Sequence, residues 1–263
     1  MFIVGERINP AGKSELARAL REGKKTLIQQ EAIAQERAGV QALDLNVYLP
    51  DVNRAQAMRI AVEAVRAVSA LPLAIDDRDP EVLEAGLRHA QANSIINSPI
   101  DSESSGVKIF SLAGSYNSEL FILPMKGNHI PASPKEHIEI TKCILKKLED
   151  SGIKRERVAI DAALLALKQA GKKVMDTLET IQRLKTELGV RALIGLSNIS
   201  YGLRHREELN TRFLCLAKEC GIDLIICDPL QEQVMTVAKG GTKSSFRSDK
   251  NEFLEFAETC LAV

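Results

Sequence analysis

Several short apolar runs of this chain end directly in carboxylate or amide side chains, and these groups are the best candidates for chemistry. The pattern recurs at Leu43-Asp44-Leu45-Asn46, Ala74-Ile75-Asp76, Ile95-Ile96-Asn97, Ala159-Ile160-Asp161 and Ile194-Gly195-Leu196-Ser197-Asn198-Ile199-Ser200. Carboxylates accept hydrogen bonds, whereas amides both donate and accept them. If the runs are parallel strands, their polar ends form a hydrogen-bonding floor for a flat, polar heterocycle. The set forms neither a metal cage nor a nucleophile beside its base.

The elements that must position these side chains are predicted from alternation along the chain. Short apolar runs alternate with longer stretches of helical periodicity, which is typical of βα units around a parallel sheet. Strands are predicted at 2–7, 42–47, 73–76, 94–97, 120–125, 158–161, 191–196 and 224–227. A helix-rich stretch is predicted at 15–38, and helices are predicted at 53–68, 80–90, 134–150, 174–188, 206–220 and 251–261. The segment 101–119 is less clear because Gly106 and Gly114 weaken a helix.

Eight predicted strands with intervening helices indicate an α/β fold, a single (β/α)8 TIM barrel that spans residues 1–263 as one domain. An open doubly wound sheet is the alternative, and that fold usually carries a Gly-rich phosphate turn after its first strand. Here the turn is Gly5-Glu6-Arg7-Ile8-Asn9-Pro10, without GxGxxG. A Gly-, Ser- and Lys-rich stretch at 239–250 is predicted to be a loop.

Composition narrows the range of partners and locations. The chain has 263 residues, and 35 Lys and Arg balance 35 Asp and Glu, so no global field favours nucleic acid or an anionic membrane. No apolar run reaches the roughly 18 residues of a transmembrane span. The N-terminus is charged too soon for a signal peptide, and the five cysteines show no CxxC pair or zinc spacing. A cytoplasmic location without a metal site is therefore expected.

In a barrel the C-terminal strand ends line the active site, so one cup is expected to collect Asp44, Asn46, Asp76, Asn97, Asp161, Asn198 and Asp228. Any single Asp or Asn could instead cap the following helix, but that explanation weakens when most strands share the pattern. A pterin ring fits such a cup, because its 2-amino group and N3–H are adjacent donors that one carboxylate can accept together.

The ordered motifs also carry a family resemblance, through Gly5-Glu6-Arg7-Ile8-Asn9, Leu43-Asp44-Leu45-Asn46, Ile75-Asp76, Ile96-Asn97-Ser98, Ile160-Asp161, Gly195-Leu196-Ser197-Asn198-Ile199-Ser200, Arg206 and Asn210. The chain resembles the pterin-binding TIM-barrel methyltransferases, which move a methyl group between methyltetrahydrofolate and a corrinoid (iron–sulfur) protein. The resemblance implies a folate substrate, a cobalamin carried by a partner protein, and a homodimer.

The resemblance further implies roles for individual residues. Asp76, Asn97 and Asp161 would hold the pterin ring. Asn198 would be catalytic at N5, the atom that bears the methyl group, and Asp44 would be catalytic within a water-linked network beside it. The rest of the expected substrate-binding set is Gly195, Ser197, Arg206, Asn9, Asn46 and Met125. One departure is Asp161-Ala162, where Asp-Pro is usual in the family.

Methyl transfer from N5 requires that the nitrogen gain positive character by the transition state, while cobalt(I) acts as the nucleophile. General acids are scarce, because the four histidines fall in predicted helices or loops. Asn198 is therefore the expected hydrogen-bond donor to N5, with the proton coming from solvent near Asp44. Glu6 and Arg7 are expected to be structural supports. The corrinoid-binding pattern DxHxxG is absent from the sequence, which indicates a separate corrinoid protein that docks transiently.

Other functions stay open. Dihydropteroate synthase typically ends its seventh strand in Ser-Arg-Lys, whereas this chain has Ser197-Asn198-Ile199. A Schiff-base aldolase needs a Lys inside the barrel, and only Lys126 lies near a predicted strand end. A non-catalytic folate-binding protein is hard to exclude from sequence, and the direction of methyl transfer is not encoded. The cations Arg78, Lys126, Arg204 and Arg206 could meet the glutamate tail of folate or remain solvated rim charges.

Overall fold

Eight parallel strands close into a barrel in the computed structural model, which describes residues 1–91, 93–103, 106–241 and 249–262. The strands are β1 (Phe2–Ile8), β2 (Ala42–Asn46), β3 (Leu73–Asp76), β4 (Ile95–Asp101), β5 (Glu119–Met125), β6 (Val158–Asp161), β7 (Arg191–Gly195) and β8 (Leu224–Cys227). Each strand pairs with the next along the chain, and β8 pairs with β1. The α/β barrel predicted from the sequence is confirmed.

Helices connect successive strands on the outside of this barrel. They are α1 (Ser14–Arg21), α2 (Lys25–Ala38), α3 (Arg54–Arg66), α4 (Pro80–Ala90), α5 (Val107–Ser115), α6 (Pro134–Asp150), α7 (Leu167–Ala170), α8 (Asp176–Leu188), α9 (Arg206–Glu219), α10 (Glu232–Ala238) and α11 (Lys250–Leu261). Helix α4 shows the capping expected from its sequence, because Asp79 accepts a hydrogen bond from the Glu81 N–H at 3.0 Å and Pro80 occupies the first turn.

The observed helices and loops differ from the predicted ones in a few segments. The helix-rich stretch predicted at 15–38 contains two helices, α1 and α2, and Gly23 adopts a φ of 63° between them. The unclear segment contains α5, and Gly106 precedes it at a φ of 56° instead of breaking it. Helix α10 was not predicted. Of the loop predicted at 239–250, residues 242–248 lie outside the described part of the chain.

The inside of the barrel is apolar below its mouth. Side chains of a strand alternate between its two faces, so residues two apart share a face. The inward cluster consists of Val4, Ala42, Ala74, Ile95, Phe121, Ala159, Leu193, Leu224 and Ile226. Two residues further along the chain, the next inward positions are Glu6, Asp44, Asp76, Asn97, Leu123, Asp161, Gly195 and Asp228. The interior therefore changes from apolar to mostly polar at one level, and that level is the candidate site.

The apolar faces of the helices cover the outside of the strands. Outward strand residues such as Ile3, Leu43 and Ile75 are at most 1% exposed and belong to one large cluster with the helices. Burial on both faces is typical of parallel sheets and holds the strand ends rigidly. Within the described ranges, no helix has both the length and the hydropathy to cross a membrane.

The packing of the barrel interior predicts a large loss of stability when the buried aromatic side chain of Phe121 is removed. Phe121 is 1% exposed and pairs in register with the small Ala159, so Phe121→Ala leaves a cavity that neighbours cannot fill. We expect a loss of about 3–5 kcal/mol in the free energy of unfolding, measured by urea titration. The control Val107→Ala removes a side chain that is 58% exposed and should change stability by less than about 0.5 kcal/mol. Equal losses for the two variants would contradict the packing described here.

Candidate active site

Carboxylates and amides alternate across three neighbouring strands at the mouth of the barrel. In the strand register, Asn46 stands beside Asp76, and Asp76 stands beside Asn97. The Asn46 Nδ2 donates to Asp76 Oδ2 at 2.9 Å, and the Asn97 Nδ2 donates to Asp44 Oδ1 at 2.9 Å. Each amide thus orients one carboxylate. The structure brings together the residues predicted on β2, β3 and β4.

Asp161 lines the same cup from β6. It lies inward, two residues past Ala159, and its Oδ1 accepts a hydrogen bond from the Ala163 N–H at 2.8 Å. Its backbone carbonyl accepts a hydrogen bond at 2.8 Å from His137 Nε2, which must carry the proton because a carbonyl only accepts. These contacts hold the strand end in place, although Ala162 stands where the resemblance leads one to expect proline.

The surroundings of the three aspartates favour their neutral forms. Burial raises the pKa of Asp161 to about 7, against a smaller lowering by the Ala163 N–H. Burial also raises the pKa of Asp76 to about 6. For Asp44, burial and then repulsion from Asp76 hold the pKa well above its usual range. A ligand that presents N–H donors would favour the charged carboxylates and offset their desolvation, whereas an anion would not.

The end of β7 supplies an amide on the opposite side of the mouth, because β7 lies across the closed barrel from β3. Gly195 takes the inward position, and a Cβ there would lie 2.9 Å from Asn198 Nδ2. The missing side chain therefore leaves room for the Asn198 amide, which is exposed. Arg206 donates to Ser200 Oγ at 3.1 Å and to the Ser197 carbonyl at 3.3 Å. Arg206 thus braces the turn that presents Asn198.

Asp228, which was also expected in the cup, is held by other groups. Its Oδ2 accepts from Arg7 Nη1 at 3.0 Å, and its Oδ1 accepts from the Leu230 N–H at 3.0 Å. Arg7 also pairs with Glu31 on α2 at 2.6 Å, which agrees with the expected supporting role of Arg7. Across the described residues, no group of three or more His, Cys, Asp or Glu side chains is arranged to hold a metal ion.

Two further predicted residues lie at the edge of the cup. Asn9 follows β1 in a loop, where its Oδ1 accepts a hydrogen bond from the Ala11 N–H at 3.0 Å. Met125, at the end of β5, is 7% exposed and lines a cavity of about 470 Å³ together with Arg78 and Lys108. This cavity adjoins the β3–β5 side of the mouth. The contacts that the structure shows for Asn9 and Met125 are thus distinct from those of the aspartate floor.

Glu6 is the cup residue whose position sequence reasoning missed. It was expected to be a structural support, yet it occupies the inward position on β1 two residues past Val4. Its carboxyl lies near Ser197 and Arg206, and burial raises its pKa. The signal that could have found it is the two-residue period of β1, which places Val4 and Glu6 on the same face.

Comparison with known proteins agrees with this geometry. Residues 5–228 match the family described as pterin binding enzymes. The chain belongs to the pterin binding enzymes. This match confirms the resemblance seen in the strand-end motifs. The pterin binding enzyme described here is 26% identical over 243 residues to the methylcorrinoid:tetrahydrofolate methyltransferase of Eubacterium limosum, covering 89% of this chain and 88% of that protein.

Other known proteins are similar to this chain either over a small part of a longer protein or in fold. Methionine synthases of Mycobacterium leprae and Mycobacterium tuberculosis are 26% and 25% identical over 86% of this chain, which spans only 20% of their length. Dihydropteroate synthases share the fold of this pterin binding enzyme. That of Clostridium difficile has a TM-score of 0.70 at 18% identity, covering 91% of this chain and 95% of that chain. That of Xanthomonas albilineans has a TM-score of 0.68 at 20% identity, covering 100% and 94%.

The raised pKa of Asp161 predicts a stability that depends on pH. The folded pKa is about 7 and the ordinary value is 3.8, so the unfolded chain loses this proton first and stability falls as pH rises from about 4 to about 7. Asp161→Asn keeps an acceptor for the Ala163 N–H and removes this fall. At pH 8 we expect the ligand-free variant to be more stable than wild type by about 1–2 kcal/mol, a difference that vanishes near pH 4.

Urea unfolding at several pH values measures this difference. The control is Asp150→Asn, because Asp150 is exposed at the end of α6 and its replacement should not reproduce the gain in stability at pH 8. An Asp161→Asn variant that is no more stable than wild type at pH 8 would contradict the described surroundings of Asp161.

Proposed function

We propose that this chain transfers a methyl group between N5 of tetrahydrofolate and the cobalt of a corrinoid carried by a partner protein. The observation that carries the proposal is the two-sided cup. Carboxylates and amides of β2, β3, β4 and β6 form one side, and the Asn198 amide over Gly195 forms the other. The relative that matches over most of both chains is named for a methyl transfer of this kind, which supports the proposal.

A pterin suits the first side of this cup. Its 2-amino group and N3–H form a pair of donors, and Asp161 or Asp76 can accept both with one carboxylate. Such donors stabilise the charged carboxylates and thereby offset the desolvation that raises their pKa values. Asn97 offers a donor and an acceptor to the rest of the ring edge. We assign Asp76, Asn97 and Asp161 to the pyrimidine half of the ring, with Asp44 and Asn46 as their supports.

The second side of the cup then meets N5. The reaction breaks the bond between N5 and the methyl carbon, and the bonding electrons stay on N5 while cobalt(I) supplies the pair for the new bond. A hydrogen-bond donor aimed at N5 stabilises the negative charge that these electrons bring to the nitrogen. One such donor is typically worth about 3 kcal/mol at the barrier. Asn198 is placed to be this donor, because Gly195 leaves space for its amide and Arg206 braces its turn.

The open mouth agrees with a cofactor brought from outside. Three large side chains stay exposed in the loops that follow β2, β7 and β8: Tyr48 at 62%, Tyr201 at 61% and Leu230 at 47%. Exposed aromatic and aliphatic groups among polar neighbours suit a transient protein contact of modest size. We assign this rim to the corrinoid protein. A homodimer and a cytoplasmic location remain predictions from the sequence.

Competing reactions receive less support from the residues of the site. Dihydropteroate synthesis expels pyrophosphate and would need cationic groups at the cup, whereas Ser197 and Asn198 follow β7. Arg206 is engaged with the Ser197 carbonyl and the Ser200 hydroxyl. The eight strands of the described barrel contain no Lys for a Schiff base. A folate-binding protein without catalysis differs from our proposal only in turnover. Mixing the protein with methyltetrahydrofolate and cobalt(I) cobalamin, and following the cobalt absorption, distinguishes these two functions.

Replacing Asn198 tests the donor at N5. We expect Asn198→Ala to slow single-turnover methyl transfer by roughly 10²-fold or more, because the developing charge on N5 loses its hydrogen bond. Tetrahydrofolate affinity, measured by calorimetry, should change much less. The control Asn251→Ala removes an exposed amide on α11, far along the chain from the strand ends. Turnover near the wild-type rate in Asn198→Ala would remove Asn198 from the mechanism.

Gly195 offers a subtler test of the same amide. In Gly195→Ala the new Cβ would lie 2.9 Å from Asn198 Nδ2, so the amide must move away from its position over the cup. We expect at least a tenfold fall in the methyl-transfer rate with the fold intact. Gly114→Ala is the matched control, because a Cβ at Gly114 on α5 would meet nothing within 4 Å. Equal rates for the two alanine variants would show that the amide position is unimportant.

A further inference from the structure

We propose that the Glu6 carboxyl is the group that gives a proton to N5 of the folate, and takes it back in the reverse direction. This inference rests on the proposed function and deepens it, because the electron pair left on N5 must be matched by a proton. Asn198 cannot supply one, since an amide donates a hydrogen bond without releasing its proton at neutral pH. A titratable group on the same side of the cup is therefore needed.

The position of Glu6 meets this need. It takes the inward position of β1, and β1 follows β7 and β8 around the closed barrel. Its carboxyl faces the Ser197 side chain, at the turn that also presents Asn198. The Ser197 hydroxyl is buried and makes no hydrogen bond of ordinary geometry within the described residues. The Glu6 carboxyl and the Ser197 hydroxyl therefore interact only weakly with each other, so both groups can turn toward a bound ring.

The other titratable groups around the mouth are occupied or lie elsewhere. Asp228 is engaged by Arg7 and by the Leu230 N–H. Asp44 accepts a hydrogen bond from the Asn97 amide, and Asp76 and Asp161 lie on the pyrimidine side of the cup. His137 donates from its ring to the Asp161 backbone, and burial lowers its pKa to about 4, so it is neutral and turned away from N5.

The charges that face Glu6 make it a group that can hold and release a proton. Burial is the main cause of its raised pKa, and Asp228 raises it further. Contacts with Ser197, Arg206 and Lys13 lower the pKa of Glu6, so its charged form can still be populated. Its charge in turn raises the pKa values of Asp44 and of the Cys227 thiol. A carboxyl whose pKa is raised keeps its proton to a higher pH than usual, and a general acid needs that proton.

The step is balanced with Glu6 as the acid. The carboxyl O–H bond breaks and its proton joins N5, and the methyl group leaves N5 for cobalt(I), which supplies the electron pair of the new bond. The products are tetrahydrofolate with N5–H, methylated cobalt and the Glu6 carboxylate, which recovers a proton from solvent. In the reverse direction the carboxylate removes the N5 proton as the nitrogen attacks the methyl group.

Glu6→Gln tests this role, with Glu15→Gln as the control because Glu15 is exposed on α1. The measurements are single-turnover transfer from methyltetrahydrofolate to cobalt(I) cobalamin across pH, and tetrahydrofolate affinity by calorimetry. Wild type should slow as pH rises through the Glu6 pKa. Glu6→Gln should lose this dependence, transfer roughly 10²-fold more slowly and bind tetrahydrofolate within about threefold of wild type.

The possible outcomes separate this inference from the proposed function. If wild type transfers the methyl group and Glu6→Gln keeps both its rate and its pH profile, the role of Glu6 is overturned and the proposed function stands. If wild type transfers no methyl group, both fall. Should Glu6→Gln fail to fold, Glu6→Asp serves instead. Its shorter carboxyl should give a reduced rate that still falls with pH, and an unchanged rate would overturn the inference.

Discussion

The desolvation of carboxyl groups at one mouth of the barrel is the physical constraint on which the rest of this structure depends. Asp44, Asp76 and Asp161 are surrounded by protein, and burial favours their neutral forms. The apolar layer below them and the helices around the strands keep water from this floor except through the mouth. Asn46 and Asn97 supply part of the missing hydrogen bonding. In the proposed function, the remainder comes from the N–H donors of the bound ring.

The desolvated carboxyls affect both the stability of the protein and its ability to bind a ligand. Carboxyls that are poorly solvated reduce the stability of the ligand-free protein, yet the same groups bind donors strongly once a ring arrives. Across the mouth, Gly195 gives up side-chain packing so that the Asn198 amide can lie over the cup. Site residues thus give up local stability, and the closed sheet and its helix layer hold them in position. The proposed function uses this division to hold a pterin on one side of the cup and to polarise its N5 on the other.

The sequence predicted the barrel and most of the floor because both follow from short-range patterns. Strand count and apolar runs gave the eight strands, and the position of an Asp or Asn after each run placed Asp76 and Asp161. The inward position of Glu6 was not predicted because Glu6 lies before the end of β1. Only the alternation of side chains along the strand shows that it faces the barrel interior. The brace from Arg206 depends on a turn whose geometry no spacing predicts. Helix α10 is only seven residues long and carries no strong periodic signal.

The most direct test of the account is proton release when the cup binds tetrahydrofolate. In the proposed function, Asp161, whose pKa is about 7 in the ligand-free protein, becomes charged when the ring donors arrive. Calorimetry in buffers of different ionisation enthalpy should therefore show protons released on binding near pH 6, with the release declining toward zero by pH 9 and weakened in Asp161→Asn. Binding without any proton release near pH 6, or no binding of tetrahydrofolate, would contradict the account.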